Sequence, residues 1–149
     1  MRLNEWIKVA VATLAIGLVG LAWAETPDEV VANRKATMKS MDEIGHAFDD
    51  AVANEADVTA LAPQATKLAE LGHDIPAMFP PGTETAGKTR AWPEVWRDRA
   101  GFARAAAQFA ADSPRLATLA AAGDKDGFAS QWDTVGNECG SCHRSFKRR

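Results

Sequence analysis

Cys139-Gly140-Ser141-Cys142-His143 is the stretch on which the reading of this chain turns. The spacing C-x-x-C-H is the attachment motif of a c-type haem, in which two thiols add across the porphyrin vinyl groups and the adjacent imidazole takes an axial position on the iron. A bare C-x-x-C would be weak evidence, because thiol oxidoreductases and zinc sites use it as well. The following histidine makes it specific. If residues 125–146 are helical, spacings of three and four residues place Cys139, Cys142 and His143 on neighbouring positions of one face. The same stripe carries Phe128, Trp132, Val135 and Phe146. A cofactor held there faces the interior and becomes part of the core.

Outward from the motif, the N-terminus sets the compartment. Arg2 and Lys8 precede the apolar run of residues 9–22, and Ala22-Trp23-Ala24 has the A-x-A form of a cleavage site before Glu25. Residues 1–24 therefore read as a secretory signal peptide. The apolar run is short beside the roughly 20 residues of a spanning helix, so no membrane span is expected after cleavage. Haem is attached to c-type cytochromes after export, so motif and signal agree on a periplasmic location. The only two cysteines lie in the motif, which excludes a disulfide scaffold. Without residues 1–24 the chain has 15 basic and 19 acidic residues. That acidic balance argues against a nucleic-acid partner.

Residues 25–149 have the length of one domain, and their periodicity is helical throughout. The first helix opens with Thr26 as N-cap, Pro27 at the first position and Glu29 three residues on, a capping box. Its stripe of Val31, Arg34, Met38, Met41, Gly45, Phe48 and Val52 ends near Asn54. A second helix begins after Asp57, with Pro63 set to kink it or delay its start, and ends at Gly72 and Pro76. Residues 79–88 are rich in turn formers. The third helix opens near Pro93 and repeats Val95, Phe102, Phe109 and Leu116 every seven residues. Ser113-Pro114 predicts a kink there, or a break with Ser113 capping a short extra helix. Gly123 and Asp124 mark the turn into the fourth helix. The predicted fold is all-α, an antiparallel up-down-up-down four-helix bundle enclosing one covalent haem.

With its haem motif on the last helix, the chain resembles the cytochrome c′ family, the class II c-type cytochromes. Arg34-Lys35-Ala36-Thr37-Met38-Lys39-Ser40-Met41 resembles the family's R-x-x-x-[LM]-x-x-M segment. Ile75-Pro76-Ala77-Met78-Phe79 and Pro93-Glu94-Val95-Trp96 resemble its L-P-x-x-F and P-x-I-W segments. The resemblance implies one haem c bound through two thioether bonds. High-spin members have an apolar residue at the position matching Met38 and a five-coordinate iron. A low-spin branch has methionine there as the sixth ligand. Family homodimers pack through the first two helices, and this sequence fits such a dimer without requiring one.

Periodicity alone does not choose among Met38, Met41 and Met78; the resemblance chooses Met38. The expected iron ligands are thus His143 and Met38, and the expected cofactor-binding residues are Cys139, Cys142, Arg34 and Lys35. Arg34 lies one turn before Met38, and a charge in a core stripe needs a partner. It is expected to meet a haem propionate, with Lys35 at the exposed edge; the alternative is a side chain reaching solvent. His46 lies eight residues beyond Met38, about 12 Å along a helix axis, and reads with His73 as a surface or supporting residue. Phe79, Trp96 and Trp132 read as core aromatics. Arg144, Lys147, Arg148 and Arg149 suit either the helix dipole or docking of an acidic redox partner. Where the family often has arginine four residues after the ligand histidine, this chain has Lys147.

The resulting expectation is a non-enzymatic periplasmic monohaem cytochrome that carries one electron between redox proteins through a His143/Met38 iron. The alternative is a five-coordinate haem that binds nitric oxide or carbon monoxide. A third reading, a thiol redox protein, would leave Cys139 and Cys142 free.

Overall fold

The computed structural model describes residues 25–148. Residues 1–24, read above as the signal peptide, and Arg149 lie outside the described residues. Helix α1 spans Pro27–Ala53 and starts on the expected capping box. The Thr26 hydroxyl accepts from the Glu29 backbone N–H at 3.3 Å, and the Glu29 carboxylate accepts from the Thr26 N–H at 2.8 Å. Two donors that the first turn would leave unpaired are thereby satisfied.

Pro63 delays the second helix rather than kinking it. A 3₁₀ turn, Thr59–Leu61, comes first, and α2 (Ala62–His73) starts with the proline in its first turn, where a missing N–H removes no helical bond. Another 3₁₀ turn, Ile75–Met78, follows, so Ile75 packs from that turn rather than from α2.

The third expected helix is three pieces: α3 (Glu94–Arg97), α4 (Arg99–Asp112) and α5 (Pro114–Ala121). The break at Asp98 has no proline or glycine signal. Its backbone leaves helical geometry (φ −105°, ψ 60°), and its carboxylate accepts from the Gly101 N–H at 2.9 Å to start α4. At Ser113-Pro114 the break occurs as expected, but Ser113 is no side-chain cap. It keeps helical dihedrals, and its buried hydroxyl has no partner among the described residues. Despite both breaks, Val95, Phe102, Phe109 and Leu116 are all buried. Asp124 caps α6 (Lys125–Phe146) through the Gly127 N–H at 2.9 Å.

Helices α1, α2, α4–α5 and α6 form the four-helix bundle. Late α1 meets early α6: Asp49 accepts from the Trp132 indole N–H at 2.7 Å, and Phe48 stacks edge-on against Phe128 and Trp132 with centroids 5.1 Å away. Early α1 packs in one cluster with late α6, where Met38 joins Cys142 and Phe146. The two helices therefore run antiparallel. One core cluster is built on Ile44, Phe48, Leu68, Leu116, Phe128 and Val135, and a smaller one on Phe79, Val95 and Phe102. No helix among the described residues is long and apolar enough to cross a membrane.

The 79–92 segment is tied down at both ends. The Gly87 N–H donates to Asp28 of α1 at 2.7 Å; Gly87 is left-handed (φ 53°), and a Cβ there would sit 3.2 Å from Val31. At the other end Trp92 N–H donates to Phe146 at 2.9 Å and Arg148 N–H to Arg90 at 2.8 Å, around an antiparallel bridge between Ala91 and Lys147.

Phe48 is fully buried between two aromatic partners, so Phe48→Ala should lower unfolding free energy by about 3–5 kcal/mol. Thr26→Ala should cost only about 1 kcal/mol through loss of the cap. Denaturant titration of both variants checks this; equal losses would contradict the assigned core.

Candidate haem site

Beside α6 lies a cavity of about 820 Å³, bounded by α1, α4, α6 and the 88–91 segment. This is within the range of small-molecule and cofactor sites, roughly 300–1,000 Å³. Cys139, Cys142 and His143 all line it, as the helical spacing predicts. Opposite them, α1 contributes Arg34, Lys35, Met38 and Met41. The apolar wall includes Leu68, Phe79, Val95, Phe102, Phe109 and Phe146, drawn from both core clusters. Every residue expected to bind the cofactor or its iron thus borders one space.

Electrostatics favour the neutral forms of the donors on α6. Burial pushes the Cys139 thiol up to about 11, helped by the neighbouring Glu138 charge and by Cys142. Burial also raises Cys142. Reactive redox cysteines have lowered values, so these surroundings do not suit the thiol-redox reading. His143 is exposed, and part of its surface is cavity wall. Desolvation there, aided by the Lys147 and Arg90 cations and opposed by Asp42, holds it below the usual imidazole value. A neutral imidazole is the form that ligates metal.

Arg34 neither reaches solvent nor meets a carboxylate among the described residues. It is 4 % exposed. Its guanidinium donates to the Met78 carbonyl at 3.1 Å and to the hydroxyls of Thr89 at 2.8 Å and Thr83 at 3.4 Å. It also lies 4.3 Å from the Phe79 ring centroid, a cation–π contact. Arg34 is therefore the clasp that holds the 78–89 segment to α1, while still bordering the cavity. Burial without an anion lowers its pKa. Lys35 lies exposed at the cavity edge.

Among the three candidate methionines, Met38 and Met41 line the cavity; Met78 packs on the smaller cluster and gives its carbonyl to Arg34. Met38 shares that cluster with Cys142, whereas Met41 packs on the larger one with Cys139. His46 borders the cavity but faces Asp42 at 3.6 Å, exposed on the surface, and His73 is exposed at the end of α2. Phe79 is buried, Trp96 donates its indole N–H to the Pro80 carbonyl at 3.1 Å, and Trp132 forms cavity wall.

Two features have no counterpart in the sequence reading. Gly136, one turn before Gly140, borders the cavity, and a Cβ there would meet nothing within 4 Å. The signal was available as a glycine inside a strongly helical stripe, which lowers helix propensity unless space is needed. Glu138 carries a buried carboxylate oxygen with no hydrogen-bond partner among the described residues. Burial first, and Asp112 second, raise its pKa to about 7. Asp112 comes from α4, so no local pattern reveals that pair.

Two thiols, a neutral imidazole and a thioether around one largely apolar space, kept open by Gly136, form a donor set that fits haem c. Comparison with known proteins agrees. The sequence profile of the family described as Cytochrome C′ matches residues 29–147. A cytochrome c′ from Rhodopseudomonas palustris is 33% identical over 150 residues, covering 96% of this chain and 99% of that protein. The crystal structure of cytochrome c′ from Rubrivivax gelatinosus matches with a TM-score of 0.77 at 26% identity, over 83% of this chain and 98% of that one. Several structures of cytochrome c prime from Alcaligenes xylosoxidans match at 26% identity. A ferrous variant with bound NO gives a TM-score of 0.76 over 85% of this chain and 98% of that one. A carbon monoxide-bound variant gives 0.75 over 83% and 98%. By sequence and by fold, then, this chain belongs to the cytochrome c′ family of haem c-type cytochromes.

Proposed function

We propose that this protein is a periplasmic monohaem cytochrome that captures nitric oxide or carbon monoxide, rather than an enzyme. The supporting observation is its likeness, over more than four-fifths of this chain, to cytochrome c prime structures that hold NO or CO. The haem supplies an iron that can bind the diatomic molecule and change oxidation state by one electron. Cys139 and Cys142 would anchor it to α6 through two thioether bonds. His143, adjacent in sequence and with its pKa lowered by burial, would ligate the iron. Phe79, Val95, Phe102 and Phe109 keep water from the apolar part of the cavity. Arg34 fixes the 78–89 segment that closes one side, and with Lys35 offers positive charge to the propionates. Homodimer formation through α1 and α2 is compatible with this reading.

A second reading has its own support. Met38 lines the cavity in the cluster of Cys142, so its thioether could fill the sixth site. His/Met ligation suits electron transfer and raises the reduction potential. The choice is therefore a competition between a fixed, weak, neutral donor on α1 and a small diffusible one.

The ferrous protein, observed optically with and without carbon monoxide, decides between them. A high-spin spectrum that changes on adding the gas is the expected result. A sharp low-spin α-band with no response would overturn capture and establish the electron carrier; Met38→Ala should then create a gas response. A separate variant tests the cavity itself. Gly136→Leu should sharply reduce the haem-loaded fraction, measured by intact mass, while leaving helical circular dichroism in place. Unchanged loading would mean that the haem does not occupy this cavity.

A further inference from the structure

The charges that border the cavity are sorted by sign along its length. Asp42, Asp49, Asp133 and Glu138 lie toward the end where Asp49 bonds Trp132. Lys35, Lys88, Arg90 and Lys147 lie toward the other, where Ala91 bridges Lys147. Along α1, Lys35 and Asp49 are about 21 Å apart at 1.5 Å per residue. Arg144 and Arg148 add to the basic end. None of these six cations has a salt-bridge partner among the described residues. The Arg90 guanidinium donates to the Arg148 carbonyl at 3.2 Å.

The chain as a whole carries a net charge of −3, so this concentration of cations is not a reflection of composition. Helix-dipole complementarity accounts for Arg144 in the last turn of α6 and Lys147 at its C-cap. It does not reach Lys88 and Arg90, which belong to no helix, or Lys35 in the N-terminal half of α1, where the dipole favours acids. At the same end stands Trp92, the one large apolar side chain exposed among the described residues, at 39 %. Its backbone N–H is tied to Phe146, itself a cavity residue. An exposed tryptophan whose backbone is tied to the strand-like segments that carry Arg90, Lys147 and Arg148 has the composition of a protein-docking hot spot rather than of ordinary solvated surface.

We propose that this basic end, together with the neighbouring Trp92, docks an acidic one-electron donor protein. The proposal rests on the haem site above but not on which group fills the sixth position. With haem bound, the donor would give up one electron and be oxidised by one, and the haem iron would be reduced by one. The positive end draws the acidic partner to the cavity margin and raises the encounter rate. Lys88, Arg90 and Lys147 supply the steering, and Trp92 supplies the apolar contact that survives in salt.

An acidic flavodoxin is a suitable probe. The haem-loaded protein is compared with the triple variant Lys88→Glu, Arg90→Glu, Lys147→Glu and with a charge-matched control, Lys67→Glu, Arg104→Glu, Arg115→Glu, drawn from exposed cations away from the cavity. Calorimetric affinity for oxidised flavodoxin, where no electron moves, is the first readout. The rate of reduction by reduced flavodoxin in stopped flow is the second. At low ionic strength the rim variant should lose at least about tenfold in both relative to the control, a gap that closes as salt shortens the Debye length. Trp92→Ala should weaken binding at high and low salt alike. Equal losses in rim and control variants would overturn the proposal. So would retained flavodoxin affinity together with lost binding to phosphatidylserine vesicles, which would assign the surface to lipid. Intact mass separates this result from failure of the haem site: lost haem sinks the site, whereas retained haem with unchanged flavodoxin affinity sinks only the docking surface.

Discussion

One turn of α6 has to present two thiols and an imidazole to a single space, and that requirement shapes the rest of the bundle. Cys139, Cys142 and His143 continue the face of Phe128, Trp132 and Val135; the cysteines are half-buried, His143 is exposed, and all three border the cavity. The helices opposite must therefore stand away from α6 at that level. They do so where the two core clusters part: Phe48, Phe128 and Trp132 close the bundle on one side, Phe79, Val95 and Phe102 on the other, and the cavity lies against both. Gly136 keeps the α6 wall flat where a side chain would intrude.

The 79–92 segment completes the enclosure. A segment so rich in proline and glycine cannot form a helix, yet it must present defined walls. Three kinds of restraint supply the definition. Arg34 clasps it from within, giving its donors to one carbonyl and two hydroxyls. Asp28 holds Gly87 at the start of α1, and the Ala91–Lys147 bridge fastens its far end to the end of α6. A buried guanidinium without a carboxylate is costly, and here polar oxygens and an aromatic face offset that cost. The same residue borders the cavity, so loop order and cofactor environment are coupled through one side chain.

Much of this was legible in the sequence because it is local or periodic. The capping box at Thr26 and the cap at Asp124 are spacings of three, and the buried series Val95, Phe102, Phe109, Leu116 is a spacing of seven. C-x-x-C-H is five consecutive residues. What escaped depends on contacts between distant segments. The break at Asp98 carries no proline or glycine to announce it. Ser113 precedes proline as a cap would, but packing holds it in helical geometry and buries its hydroxyl. The partners of Arg34 lie 44 to 55 residues away, and Glu138 owes its raised pKa to burial and to an aspartate on another helix. The competition between Met38 and a gas is a balance of ligand strengths, which neither spacing nor packing fixes.

The account stands or falls on covalent haem at α6. The most direct measurement is the intact mass, under denaturing conditions, of the protein exported from a host able to attach haem, together with a free-thiol count. The account predicts a single species heavier than the polypeptide by one haem, with no reactive thiol at Cys139 or Cys142. A species of polypeptide mass alone, with both thiols free, would contradict it.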